Sequence, residues 1–342
     1  MKRRTFVQWM AAAPAVAALG CATQPRIEEP WVMTVRGRLA AREMGVTLTH
    51  EHALANFQSH EEWTRSPAKY DLDEVVTHVL PHLRRIAELG CRTFVDATAV
   101  GLGRDASLLR RLSDASGLHI LTTTGNYAAF DEKFVPPHVR EDDVDALAAR
   151  WIRDFKEGID GTGIRPGFIK LGFNGDSLRE VERKLITAAA VAHRATGLTI
   201  GSHTGLAKSA YEQLEVLEAA GVQASAWIWI HAHNEPDPRQ YLDAARSGAW
   251  ISLDGVGPES IDTHADRVIG LRDAGLLHRV LISQDAGWYW VGEPGGGKFR
   301  PYDTVFTQFL PELRRRGVSE SEIRQLLEVN PAAAFAVRVR TG

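Results

Sequence analysis

The sequence predicts an α/β fold, a (β/α)8 TIM barrel, and three observations point there. Eight short apolar, β-rich runs alternate with longer stretches of helical spacing. The chain has 342 residues, enough for eight such units in one large domain. Polar residues recur at the C-terminal ends of the runs, which in a barrel converge on one mouth.

The runs are Val46–Thr49, Thr93–Ala97, Ile120–Thr124, Gly167–Leu171, Leu198–Ser202, Trp227–Ile230, Trp250–Leu253 and Val280–Ser283. Helical spacing fills Asp73–Leu89, Ala106–Ser116, Asp142–Glu157, Arg179–Thr196, Ser209–Ala220, Pro238–Ser247 and Thr263–Ala274, then Thr304–Arg316 and Ser319–Val329. Glycine follows most of these helices where a left-handed cap belongs, as at Gly117 and Gly197. A doubly wound sheet shares the alternation but needs a reversal of strand order. The clustering of polar residues at strand ends favours the barrel.

The N-terminus reads as a targeting segment. Lys2-Arg3-Arg4 precedes an apolar run from Trp9 to Leu19, too short to span a bilayer comfortably. The Arg pair resembles a twin-arginine export signal. Cys21 after Ala18-Leu19-Gly20 resembles a lipoprotein processing site. Residues 1–21 are therefore read as an export signal, 22–33 as a linker and 34–342 as the barrel. The protein is expected to be periplasmic, or membrane-anchored through a lipid on Cys21. Loss of residues 1–20 removes three basic residues and no acidic one, taking the net charge from −3 to −6. No basic stripe appears, so nucleic acid is not an expected partner. Cys91, the second of two cysteines, reads as a small buried hydrophobe.

The chemistry begins at Thr49-His50-Glu51-His52. Alternation along a strand puts His50 and His52 on one face, where two imidazoles can grip one metal. Such a pair alone also serves packing. Lys170 lies inside the apolar run Gly167–Leu171, where a charge is costly unless it snorkels or pairs. At a barrel mouth its depressed pKa would leave a free amine, able to form a carbamate with carbon dioxide. A carbamate can bridge two metal ions. His203 and His231 each end a strand run, and Asp285 ends the last. A carboxylate there can ligate a metal and take a proton from water. Imidazole and carboxylate donors suit Zn²⁺, with Mn²⁺, Co²⁺ or Fe²⁺ as alternatives.

With these residues the chain resembles the phosphotriesterase family of the amidohydrolase superfamily. The resemblance spans Thr34 to Ala336 and is most specific in Glu43–His52, around Lys170, and in Asp285-Ala286-Gly287-Trp288-Tyr289. It implies a binuclear-metal hydrolase that uses a hydroxide bridging two divalent ions. His50, His52 and Asp285 match ligands of the more buried metal. His203 and His231 match ligands of the more exposed one, and Lys170 matches the carboxylated bridge. Asp285 would also accept the proton. The expected substrates are small carboxylic esters, lactones or organophosphate esters, and relatives often form homodimers. A single-metal amidase or deaminase, or a non-catalytic periplasmic binding protein on the same fold, are the alternatives.

Two departures qualify the resemblance. Gly255 stands where efficient organophosphate hydrolases carry a relay histidine, and Asn234 falls near the other relay carboxylate. His233 competes with His231 for the strand-six ligand, and Glu235-Pro236-Asp237 aligns so as to select His231. Tyr127, Trp288 and Tyr289 are candidate walls of the substrate pocket. Gly292–Lys298 has the spacing GxxxxGK, but Phe299 follows where Ser or Thr would hold Mg²⁺, so it reads as a rim loop. His78, His82 and His193 lie in helical stretches and are read as surface residues.

Overall fold

Each apolar run is a strand and each helical stretch a helix in a computed structural model that describes residues 29–342. The export signal, Cys21 and residues 22–28 lie outside the described residues. A hairpin of β1 (Trp31–Thr34) and β2 (Gly37–Ala40) comes first; Trp31–Thr34, read in part as linker, is a strand with Val32 and Met33 buried. Then follow β3 (Thr47–Ala55), α1 (His60–Arg65), α2 (Leu72–Glu88), β4 (Thr93–Asp96), α3 (Ala106–Ser116), β5 (His119–Leu121) and β6 (Thr123–Thr124). After them come α4 (Pro137–Glu141), α5 (Val144–Glu157), β7 (Phe168–Gly172), α6 (Glu180–Thr196), β8 (Ile200–His203), α7 (Ala207–Ala219) and β9 (Trp227–Ile230). The chain continues through α8 (Pro238–Arg246), β10 (Trp250–Leu253), α9 (Ile261–Asp273), β11 (Val280–Ile282) and β12 (Gly287–Trp290), and ends with α10 (Leu310–Arg315), α11 (Glu320–Arg324) and α12 (Asn330–Phe335).

Parallel pairing runs β6-β7-β8-β9-β10-β11 and β5-β4-β3-β12. β5 and β6 are one barrel strand interrupted at Thr122, so eight barrel positions result. The seam between β11 and β3 has no regular ladder. It is bridged by Thr49 Oγ1 donating to the Ile282 carbonyl at 3.2 Å and the His50 amide donating to Ser283 Oγ at 3.0 Å. The Asp285 amide donates to the His50 carbonyl at 3.1 Å. β12, which holds the wall candidates Trp288 and Tyr289, pairs with the second half of β3.

Alternation sorts the strand side chains into two layers. Ile169, Leu171, Trp227, Trp229, Val280 and Ile282 join the layer under the helices. Phe168, Ile228, Ile230, Val95 and Leu281 fill the barrel interior together with Val32, Met44 and Phe335. The hairpin and α12 thus plug the bottom with apolar atoms, and Phe335 meets Phe168 edge-on at 5.3 Å between ring centres. Lys170 comes two residues after Phe168 and shares its inward parity.

Of the histidines read as surface residues, His193 is not on the surface and His78 and His82 are half-buried. His193 is fully buried, its Nδ1 at 2.8 Å from the Leu198 carbonyl and its Nε2 accepting from the Arg340 amide. His78 and His82 pack against Phe299. Helical spacing alone does not separate the outer face of a barrel helix from the faces covered by loops and the C-terminal segment.

His264 on α9 is also buried, and burial pulls its pKa from 6.5 to about 4. The unfolded chain therefore binds a proton that the folded chain refuses as pH falls from 6.5 towards 4. Its contribution to stability is intact above that window and is lost on acidification through it, by at most about 1.4 kcal/mol per pH unit. Urea unfolding between pH 7 and pH 4 should show a shallower loss for His264→Asn than for the parent chain. Equal slopes would exclude the assignment.

Candidate metal centre

β3 delivers the first two imidazoles. Its ladder to β4 shifts register between Leu48 and Glu51. This bulge lets Leu48 stay in the helix-facing layer while His50 and His52 turn into the barrel. Their Nε2 atoms lie 3.2 Å apart. Asp285 follows β11 in a left-handed conformation, φ 49°. Its Oδ1 is 3.0 Å from His52 Nε2 and 3.6 Å from His50 Nε2. These three residues offer one ligand atom each within 4.8 Å of one another. His231, at φ 65°, brings Nε2 to 4.0 Å from the other Asp285 oxygen. His203 at the end of β8 has its ring centre 4.5 Å from that of His231. Lys170 is buried and lines the same cavity. All six residues named from the sequence therefore meet at one place.

A second donor group, His50, His231 and Asp254, also converges. Asp254 follows β10 directly and is fully buried. Its two oxygens take the Nδ1 atoms, at 3.0 Å from His50 and 2.8 Å from His231. The Nε2 atoms are left facing Asp285, so Asp254 is placed to orient two candidate ligands rather than to serve as a third. Thr98 Oγ1 does the same for His52 Nδ1 at 2.8 Å, and Asn174 Oδ1 for His203 Nε2 at 2.9 Å. Sequence reading missed these three supports as ligand-orienting groups. Only Asp254, a carboxylate ending an apolar strand run, carried a signal that could have found it.

The electrostatics suit a cation. Burial lowers the His50 pKa to about 4 and pulls His203 well below the usual imidazole value. Both rings are held neutral, the form that ligates. Burial likewise lowers Lys170 to about 8, enriching its free amine. Burial would raise Asp285, but His50 and His52 outweigh it and keep the carboxylate ionised. Two neutral imidazoles, an ionised carboxylate and a nucleophilic amine at one barrel mouth fit divalent metal ions.

The phosphotriesterase family profile matches residues 30–335 of the chain. The chain belongs to the phosphotriesterase family. The phosphotriesterase homology protein of Escherichia coli is 30% identical over 298 residues, covering 85% of this chain and 98% of that one. The aryldialkylphosphatase of Saccharolobus solfataricus is 27% identical, covering 87% and 97%. The N-acetyltaurine hydrolase of Mus musculus is 26% identical, covering 88% and 96%. A variant of a phosphotriesterase-like lactonase from Deinococcus radiodurans superposes with a TM-score of 0.79 at 30% identity, covering 89% of this chain and 100% of that one. This phosphotriesterase-family chain is accordingly a metal-dependent hydrolase.

The family member's cavity measures about 250 Å³. Trp288 stacks on His52 with ring centres 3.7 Å apart, and Tyr127 faces His203 at 5.4 Å. Both line the cavity, as read from sequence. Phe57, Leu102 and Phe130 complete the wall and were missed, because they sit on loops without periodicity. Tyr289 does not line it. Its neighbour Trp288 faces the candidate ligands, so alternation turns Tyr289 outward, where its hydroxyl donates to Glu74 at 2.7 Å. A larger groove of about 810 Å³ lies elsewhere, beside α7 and Arg279, and contains none of the candidate ligands.

His231, not His233, faces the centre. His233 turns into the space that a side chain on Gly255 would fill, with Nδ1 3.4 Å from Asp254. A histidine therefore stands behind Asp254 despite the glycine, though it comes from the segment after β9.

Asp254→Asn should weaken zinc binding about 10- to 100-fold, because one amide cannot accept from two imidazoles. Competition against a graded chelator series measures this. Unchanged affinity would show that Asp254 does not orient the ligands.

Proposed function

We propose that this chain hydrolyses uncharged carboxylic esters or lactones at a pair of divalent ions, most favourably Zn²⁺. The reading rests on one observation above others: His50, His52, His203, His231, Lys170 and Asp285 converge on a single apolar-walled cavity. His50, His52 and Asp285 would hold one ion, and His203 and His231 the other. Lys170, carboxylated, would bridge them. When bound, the ions supply an activated water and polarise the substrate carbonyl.

The chain's own residues do the rest. Asp285 is ionised and aimed into the cavity, so it can accept a proton from water and pass it to the leaving group. Phe57, Leu102, Tyr127, Phe130 and Trp288 shield the centre and bind apolar substituents. Among the described residues, the cavity wall holds no arginine and no lysine besides Lys170. A sulfonate such as that of N-acetyltaurine finds no cation there beyond the metal centre. A neutral acyl group meets no such mismatch. Organophosphate triesters are also uncharged and form the second class. The paired Arg3-Arg4 and Cys21 support export, with a lipid anchor as its extension.

Lys170→Ala should lower bound zinc from about two equivalents towards one or none, and abolish turnover; elemental analysis reads the first and a lactone assay the second. A single-metal enzyme would keep its one equivalent and its rate. Asp285→Asn should cost about 10²–10⁴-fold in kcat. Turnover of N-acetyltaurine exceeding that of every neutral ester and lactone would overturn the substrate assignment.

A further inference from the structure

We propose that Glu51 and Arg300 form a clamp that holds Asp285 in its left-handed conformation. Glu51 is the acceptor jaw and Arg300 the donor jaw, and both are positioning residues for the metal centre. The proposal builds on the reading of Asp285 as ligand and proton acceptor.

The segment after β11 is unusual backbone. Asp285 has φ 49°, Gly287 φ 98° and Trp288 φ 71°. A Cβ on Gly287 would strike the His52 carbonyl, so that position must be glycine. Left-handed residues other than glycine persist where their surroundings over-determine them. Here the surroundings are identifiable. Glu51 lies between His50 and His52, so strand alternation turns its carboxylate away from the centre. It is fully buried. One oxygen accepts from the Gln284 amide at 3.1 Å and from Ser283 Oγ at 2.7 Å. The other accepts from the Ala286 amide at 2.8 Å. Both amides flanking Asp285 are thereby held, one on each oxygen.

Arg300 works on the carbonyls. Its Nη1 donates to the Asp285 carbonyl at 3.0 Å and its Nη2 to that of Gln284 at 3.2 Å. The Asp285 amide itself donates to the His50 carbonyl. The strand that supplies two imidazoles thus also sets the third ligand through its outward residue.

The test uses the full chain, loaded with zinc and metal-free. In Glu51→Gln an NH₂ replaces one acceptor and faces a donor. Exchange of the Gln284 and Ala286 amides should accelerate at least about tenfold, and zinc retention against a chelator should weaken about tenfold or more. kcat on the best lactone should fall about 10- to 100-fold with KM within about twofold. Arg300→Met, on the exposed side, should show the same pattern at a few-fold size, and serves if Glu51→Gln fails to fold. The clamp is overturned if the folded variants exchange and retain zinc as the parent does and lose only melting temperature. Amide exchange needs neither metal nor substrate. Absence of turnover in the parent would therefore sink the functional reading while the exchange result still decides the clamp.

Discussion

The barrel has to close between its first and last strands, and it does so without a ladder. Parallel strands elsewhere hold each other through evenly spaced backbone bonds. At the seam between β3 and β11 a single backbone bond, from the Asp285 amide to the His50 carbonyl, is joined by side-chain hydroxyls and the buried carboxyl group of Glu51. The consequence is chemical as well as structural. Backbone released from the ladder can leave extended geometry, and Asp285 does so. A carboxylate at that point could not face His50 and His52 from a regular strand end without the turn. The closure of the fold and the geometry of the centre therefore rest on the same contacts.

The same economy appears around the imidazoles. Each ring that faces the cavity has its other nitrogen engaged: His50 and His231 by Asp254, His52 by Thr98, and for His203 the engaged atom is Nε2 on Asn174. Fixing one nitrogen sets the tautomer and the ring plane, which leaves the remaining lone pair directed. Asp254 touches candidate ligands from the first and sixth barrel strands, so it links the two halves of the candidate centre. Its own burial is offset by the two imidazoles, which keep it ionised.

Below the centre the barrel interior is apolar. Phe168, Ile228, Ile230 and Leu281 fill the interior up to the level of Lys170, with Phe335 and the hairpin beneath them. That floor is what burial means for Lys170 and His50: the solvent lost to them is replaced by hydrocarbon, and their charged forms become costly. Above the centre the aromatic wall does the converse for the substrate, offering apolar contact without charge. The histidine behind Asp254 comes from the segment after β9, because Gly255 leaves it room.

The sequence alone determined the eight strands, most of their helices and all six candidate ligands. Those follow from local rules: apolar runs, helical spacing, glycine caps, and polar side chains that are anomalous at a strand end. Family membership, shown by comparison, agrees with what those residues implied. Tertiary structure decided the rest. The bulge that turns His50 and His52 inward depends on pairing with β4, and the left-handed Asp285 depends on Glu51 and Arg300. Tyr289 turned outward because Trp288 took the inward place, and His193 was buried by a C-terminal segment nearly 150 residues away. Choosing His231 over His233 in space required Asp254 and the vacancy at Gly255. Each of these is set by contacts between residues distant in sequence, and periodicity carries no record of them.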